Sequence, residues 1–458
     1  MDTPVFDAIV LGGGISALAA AWRLQSRGRR PLLVCDSEDT GGVIRTERRD
    51  EWLLEIGPNS YASFGSEEEE LLSEIGLADR VLRKPIRTTD RYIWHSGKLH
   101  RVPTGLLSFA GSSLLPFTAK LNILSGMLGR YEPPQEDVSI GRFFRNLFGD
   151  VVVDTLIRPA LAGIYAADAD RISLEAAFPA LSDGIRGNRW LPNAIKTMKK
   201  SRPRGKPSGP RSLTSFPDGL AELPRAMTDG LRRKDVPMEL GARKVSVSRT
   251  ENEEAWLVSW EGGSAQAPAV ILSTPVPGTR AILENAAPGA AELISRIEHA
   301  PLTVVHAGVR TEDLRMKPEG FGFLARRGEG VGMLGAIWSS SIFPGRAPAG
   351  RSLFTCMFGG DIDPEVTDWP DKDLEEQLIR DLRTTMGYKG KRPELVNIMT
   401  WKPALPLYRP GHAALIRDFR AALPKGIQVT TNWTGGISIP DRIRGGWKAA
   451  DAITGATP

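Results

Sequence analysis

The stretch that most constrains this chain lies at its start. Val5 to Leu11 reads as a short buried strand that runs directly into Gly12-Gly13-Gly14-Ile15-Ser16-Ala17 and then into an Ala/Leu-rich helix. In this G-x-G-x-x-A spacing Gly12 permits a tight turn and Gly14 lets the backbone approach a pyrophosphate. Ala17 lets helix and sheet pack closely, and the helix N-terminus faces the anion. A second strand, Pro31 to Cys35, ends on Asp36-Ser37. Asp36 stands near the ~20-residue spacing of the carboxylate that holds a ribose hydroxyl. A glycine turn alone is a weak signal. With a strand before it, a helix after it and an acid at the next strand end, it marks an α/β dinucleotide-binding unit.

The remaining totals exclude several classes. At 458 residues the chain has room for two or three domains, and its 25% charged and 41% hydrophobic residues are those of a globular protein. The formal net charge of +5 is spread along the chain rather than gathered with aromatics, which argues against nucleic acid. Cys35 and Cys356 each sit in an apolar run, as buried thiols in a reducing compartment do. His95, His100, His299, His306 and His412 show no metal-ligand spacing, so no metal is expected. Asp2 and Asp7 flank the first apolar run, unlike a secretory leader, and Val102 to Ala119 is too broken by Pro103 and Pro116 to span a bilayer. The expected location is the cytoplasm, with peripheral contact on the cytoplasmic face of a membrane as the sharper alternative.

A second glycine element, Gly41-Gly42-Val43-Ile44-Arg45, and a third, Gly57-Pro58-Asn59-Ser60, follow closely. A nicotinamide enzyme continues instead with plain βαβ units. Repeated close approach of backbone suits a large, flat, doubly anchored cofactor, so FAD is the better ligand. Asp90 to Pro103 reads as a hairpin around Ser96-Gly97. From Gly105 to about Arg211 the pattern is helical and apolar; core packing accounts for it, and a monotopic membrane-contact surface is the sharper reading. Lys199 to Arg211 is a Pro/Gly/basic linker, and Phe216 to Leu220 is expected to begin a helix. Leu302 to Val309, Gly320 to Leu324, Met333 to Pro344 and Leu353 to Gly360 read as β runs. Among them Phe321-Gly322 and Phe358-Gly359-Gly360 imply that something large lies against the backbone. The last strand ends on Asn432, and Gly436-Ile437-Ser438-Ile439 leads into the final helix, whose positive end would face the flavin pyrimidine.

GGVIRT followed by EIGPNS resembles the flavin amine oxidase superfamily and, within it, the protoporphyrinogen oxidases of haem synthesis. The resemblance covers essentially the whole chain; its more specific parts are Arg91-Tyr92-Ile93, the run from Pro159 to Ala166, Gly320 to Leu324 and Met333-Leu334-Gly335. It implies an α/β fold in which an FAD/NAD(P)-binding Rossmann-like domain (1–85, 211–275 and 415–458) joins an antiparallel-sheet substrate domain (86–104 and 276–414) and an inserted helical subdomain (105–210). It implies that Val245 touches the cofactor and that Arg91 pairs with a propionate of the tetrapyrrole. Phe321, Gly322 and Leu324 would line one side of the macrocycle, with Phe358 sandwiching a pyrrole and Asn59 on the substrate side. Departures are Asp36 for Glu, Ala17 for the third Gly, Thr431 for Gly and Arg442 where Cys is common.

The reaction implied is six-electron oxidation of protoporphyrinogen IX to protoporphyrin IX in three flavin cycles, by hydride transfer from a meso carbon to flavin N5, with dioxygen or another acceptor reoxidising the flavin. Coproporphyrinogen III oxidation is the nearest alternative. An amine oxidase would need an aromatic cage, for which only Trp433 and Trp447 are available near the final element, and a non-catalytic flavoprotein would need neither Arg91 nor Phe321. No acid/base residue is assigned. Partners consistent with this reading are a tetrapyrrole substrate, a homodimer mate and a ferrochelatase taking the product.

Overall fold

The computed structural model describes residues 3–200, 211–251 and 254–455; most of the basic linker, residues 201–210, lies outside the described residues. The strands that position the site are β1 (Ala8–Leu11), β2 (Pro31–Val34), β3 (Trp52–Glu55), β4 (Arg91–His95), β5 (Lys98–Arg101), β6 (Met238–Glu239), β7 (Val270–Leu272), β8 (His299–Arg310), β9 (Gly322–Ala325), β10 (Gly335–Ile337), β11 (Arg351–Gly359), β12 (Leu395–Pro406) and β13 (Ile427–Val429). The helices that matter here are α1 (Ile15–Ser26), α2 (Phe117–Leu128), α3 (Arg158–Tyr165), α4 (Asp371–Met386) and α5 (Ile439–Thr454).

Strands β6-β2-β1-β7-β13 form an all-parallel sheet. Parallel strands are covered on both faces, which is why β1, β2 and β7 are unbroken apolar runs with every residue buried. On one face lie α1 and α5, packed so closely that a Cβ at Gly446 would collide with the Ser16 carbonyl. Ala17, Leu18, Ala20 and Ala21 share a core with Ile443, Ala449 and Ala450. The small residues of α1 are therefore spent on helix–helix and helix–sheet approach.

The second sheet has the order β12-β8-β11-β10-β9-β4-β5. Its pairs are antiparallel except β9 with β4, where Gly322 pairs with Arg91 in parallel register. This corrects the expected antiparallel sheet at one pair: β4 and β5 arrive as a hairpin from a distant part of the chain and dock on the free edge of β9. Ser96 and Gly97 both take positive φ, the turn that matches strand twist.

Strand alternation divides this sheet into two faces. Trp94, Phe323, Ala336, Phe354, Cys356, Phe358, Val305 and Ala307 form one core with Leu374, Leu378 and Leu382 of α4. Ladder register places Arg91, Gly322, Leu324, Ile337, Thr355 and Met357 on the opposite face.

Two local expectations change. Of Met333–Pro344, only Gly335–Ile337 is strand; Ser339–Ile342 is a helical turn. There the Ser339 hydroxyl bonds that of Thr355 and Ser340 Oγ accepts from Leu353 N–H, so side chains replace the ladder. The helix expected from Phe216–Leu220 spans Glu222–Arg233, because the Glu55 carboxylate holds Leu220 N–H in the preceding turn.

Candidate active site

Several glycine-bearing loops converge at the C-terminal edge of the parallel sheet. Gly41 N–H donates to Gly13 O at 2.8 Å, and a Cβ on Gly42 would stand 3.2 Å from Gly14 Cα. Gly57 packs under the Val43 carbonyl so tightly that any Cβ would collide with it. Arg45 Nε closes the second loop onto Gly42 O at 3.0 Å, and Ile56 N–H bonds Arg45 O at 2.9 Å. Gly12, Gly13, Gly14, Gly41, Gly42, Val43, Arg45 and Gly57 thus form one layered assembly, with Pro58 and Ser60 half-exposed at its rim.

The individual glycines divide the work differently from their sequence spacing. Gly12 has φ of 120° and faces the Ser273 carbonyl, so it makes the turn. Gly13 is closed off by the Cys35 thiol, a packing role the spacing did not reveal. Gly14 has nothing within 4 Å of where a Cβ would stand. It caps α1 with no side chain bonded there, so the buried Ile15 and Ser16 begin a helix whose first N–H groups are open to an anion.

Asp36 is exposed at the end of β2, and Ser37 N–H bonds the Cys35 sulfur at 3.4 Å. The chain leaving β6 runs alongside: Ala242 N–H donates to Cys35 O at 2.8 Å and Gly241 N–H to Ser37 O at 3.0 Å. Val245 follows, half-buried. At the opposite end, Tyr408 OH bonds the Asn432 carbonyl, and Ser438 caps α5 by accepting from Asp441 N–H at 3.3 Å. Gly435 and Gly436, with φ of 138° and 70°, turn the chain into that cap. Ile439 is buried, and half-buried Ile437 packs in the same apolar cluster as Leu302, Leu405 and Met357.

That cluster joins the cofactor loops to the second sheet. Asn59 Oδ1 accepts from Ser339 Oγ and from Thr355 Oγ1, both at 3.3 Å, which fixes the third loop against β11. Leu324 of β9 fills the space over Gly163 of α3, where a Cβ would collide with it. At the far end of the face, the Arg91 guanidinium carbon lies 5.2 Å from the centre of the Phe321 ring, and its terminal nitrogen reaches Ile86 O at 3.5 Å. Arg91 is half-buried, and among the described residues no carboxylate lies within ion-pair distance of it. Burial pushes its guanidinium below the ordinary value.

One expected site residue is misplaced. Phe358 is fully buried in the core under α4, on the other face of β11. Strand alternation gives its neighbour Met357 the site face. Met357, Ile337, Thr355 and Ser339 were not singled out from sequence, although Thr355, polar inside an apolar run, carried the parity signal.

Behind Gly57 lies a buried polar knot. Glu55 accepts from Leu220 N–H at 2.9 Å and Thr46 Oγ1 at 2.7 Å, with Arg346 3.5 Å away. Burial pushes the Glu55 carboxyl up to about 7 against these donors. His306 donates from Nε2 to Glu55 O at 2.9 Å and takes Asn397 Nδ2 at 3.2 Å on Nδ1, the neutral form, and burial pushes it down to about 4. These groups sit behind the loop and shape it.

The donor set fits a flavin dinucleotide: an uncapped helix N-terminus over an open Gly14, an acid at the β2 end, and a second capped helix end across an open Gly435. The family described as flavin containing amine oxidoreductase matches residues 15–454. The chain is 30% identical to protoporphyrinogen oxidase 1, chloroplastic, of Spinacia oleracea, over 98% of this chain and 84% of the relative. It is 28% identical to coproporphyrinogen III oxidase of Bacillus subtilis, over 97% of each. A solved structure from Exiguobacterium sp. 255-15 shares the fold over 99% of both chains, with a TM-score of 0.78 at 23% identity. The chain belongs to the flavin-containing amine oxidoreductase family and is an FAD-dependent oxidoreductase.

Proposed function

We propose that the protein oxidises a porphyrinogen to the conjugated porphyrin. Bound FAD supplies the hydride acceptor. The protein's own part is to hold a flat, apolar macrocycle against the face that carries Leu324, Ile337 and Met357, and to anchor one propionate on Arg91. Arg91 is the observation that carries this reading, because a half-buried guanidinium without an acid of its own, stacked on Phe321, is a waiting partner for a ligand carboxylate. Overall the substrate loses six hydrogens as three hydride–proton pairs. Asn59, tied to Ser339 and Thr355 through its carbonyl oxygen, is the residue of the third loop given to the substrate side. Trp433 is fully buried against Phe419 and cannot serve an amine-binding aromatic cage.

Protoporphyrinogen IX is the first substrate and coproporphyrinogen III the second, the latter favoured by the end-to-end match with the Bacillus subtilis relative. Porphyrin fluorescence after mixing the FAD-loaded protein with each porphyrinogen decides between them. No fluorescence above autoxidation from either would end the proposal.

No helix among the described residues is long and apolar enough to cross a membrane. Contact with a membrane surface is assigned instead to α2, where Phe117, Leu121, Leu124 and Leu128 are exposed at i, i+4, i+7 and i+11. A homodimer and delivery of product to a ferrochelatase complete the reading; sedimentation and a coupled metal-chelation assay test them.

A further inference from the structure

Arg442 stands where the resembled family commonly has Cys, and the fold shows where its charge goes. It lies one turn into α5, is only 9% exposed, and aims its guanidinium back at the turn before the helix, donating to the carbonyls of Thr431 and Gly435. Its Nε is buried without a partner, as are the hydroxyls of Thr430 and Thr431. Among the described residues no carboxylate stands within ion-pair distance of it, and the adjacent Asp441 is committed to the Ser438 hydroxyl at 2.6 Å. An isolated charge in such a place is costly unless something nearby uses it.

We propose that Arg442 is a positioning and potential-setting residue for the flavin: its fixed positive charge reinforces the helix end of α5 behind Gly435-Gly436 and raises the midpoint potential of the bound cofactor. The inference rests on the FAD reading of the site and goes beyond the choice of substrate. A helix N-terminus contributes about half a positive charge. A full guanidinium behind the same turn, only 9% exposed, adds to that field in the same sense. The two carbonyl bonds orient the charge and rigidify the turn that carries Ile437 and Ser438.

The test compares FAD-loaded wild type, Arg442→Gln, Arg442→Met and Arg442→Lys. Midpoint potential is read against reference dyes, and affinity for free sulfite, whose adduct with flavin is favoured by nearby positive charge, is read by absorbance. Both neutral variants should shift the two-electron equilibrium about tenfold toward oxidised flavin, which is about 30 mV, and weaken sulfite binding by a similar factor. Arg442→Lys should stay within about twofold of wild type. Neutral variants with unchanged potential and sulfite affinity overturn the proposal. So does loss of FAD by both of them, which would mean that Arg442 braces the turn and nothing more. A shifted potential in a protein that forms no porphyrin leaves this assignment standing and removes the proposed substrate; porphyrin formation with an unshifted potential does the reverse.

Discussion

The guanidinium of Arg91 stacks over the ring of Phe321, 5.2 Å from its centre, although the two residues are 230 positions apart in the sequence. The contact is built by the parallel pairing of β4 with β9, which sets Arg91 directly beside Gly322. The ring holds the charge in place on an apolar floor without neutralising it. Arg91→Ala should therefore raise KM for the porphyrinogen with little change in kcat. Losing a charge-assisted hydrogen bond of ~1.5–3 kcal/mol corresponds to roughly 10- to 150-fold. Steady-state kinetics by porphyrin fluorescence checks this, and an unchanged KM would remove Arg91 from the substrate site.

Met357 and Phe358 offer a paired test of which face of β11 meets substrate. Phe358→Ala should cost about 3–5 kcal/mol of stability by leaving a cavity under α4, while KM in the surviving fold stays near wild type. Met357→Ala should alter KM at much smaller cost in thermal stability. The reverse pattern would return the substrate contact to Phe358.

Gly57 meets the Val43 carbonyl with no room for a methyl group. Gly57→Ala must push the second and third loops apart, at ~1–3 kcal/mol for overpacking. The expected result is a lower melting temperature together with weakened FAD retention on dilution, measured by flavin absorbance after gel filtration. Retained FAD would show that the loops yield without cost to the cofactor site.

The cofactor end of the molecule was legible because backbone chemistry there is written in glycine. Gly12, Gly14, Gly42 and Gly435 either take positive φ or stand open to a ligand, and few other residues satisfy those conditions. The proposed substrate face was half-legible. Arg91, Phe321 and Leu324 came from motif resemblance, but Phe358 was placed on the wrong side. In β11, buried on both faces, Leu353 to Phe358 is apolar but for Thr355, so a single polar residue carried the parity. The parallel joint between β4 and β9 and the covering helix α4 depend on long-range docking that no local spacing encodes. Arg442 was visible as a departure, but its burial and its carbonyl partners needed the fold.

His306 gives a pH prediction. Burial lowers its folded value to about 4 from an ordinary 6.5, so the unfolded chain binds the proton more readily. The stability it contributes is present above pH 6.5 and is lost as pH falls toward 4. His306→Gln keeps a donor toward Glu55 O without the titration. Relative to its own value at pH 7, wild type should lose roughly 2–3 kcal/mol more than the variant by pH 4.5, as read by urea denaturation at each pH. Parallel pH profiles for the two proteins would contradict this.

The last prediction concerns α2, whose exposed row includes Phe117 at 74% and Leu128 at 67%. Lys120 on the same helix is turned inward, donating to Ala110 O at 2.8 Å and Ser112 O at 2.7 Å, so the row is not interrupted by charge. Leu124→Glu with Leu128→Glu removes two side chains that contribute little to the core, so the fold should be kept. If the row inserts into a lipid surface, each leucine supplies up to ~1.5–3 kcal/mol of transfer, and the double variant should bind phosphatidylcholine/phosphatidylglycerol vesicles at least tenfold more weakly in co-sedimentation. Oxidation of porphyrinogen in detergent solution should be unaffected, because Leu124 and Leu128 are exposed and stand outside the apolar cluster that holds Met357. Vesicle binding equal to wild type would leave the row as an exposed face of α2 and remove the membrane from the proposed function.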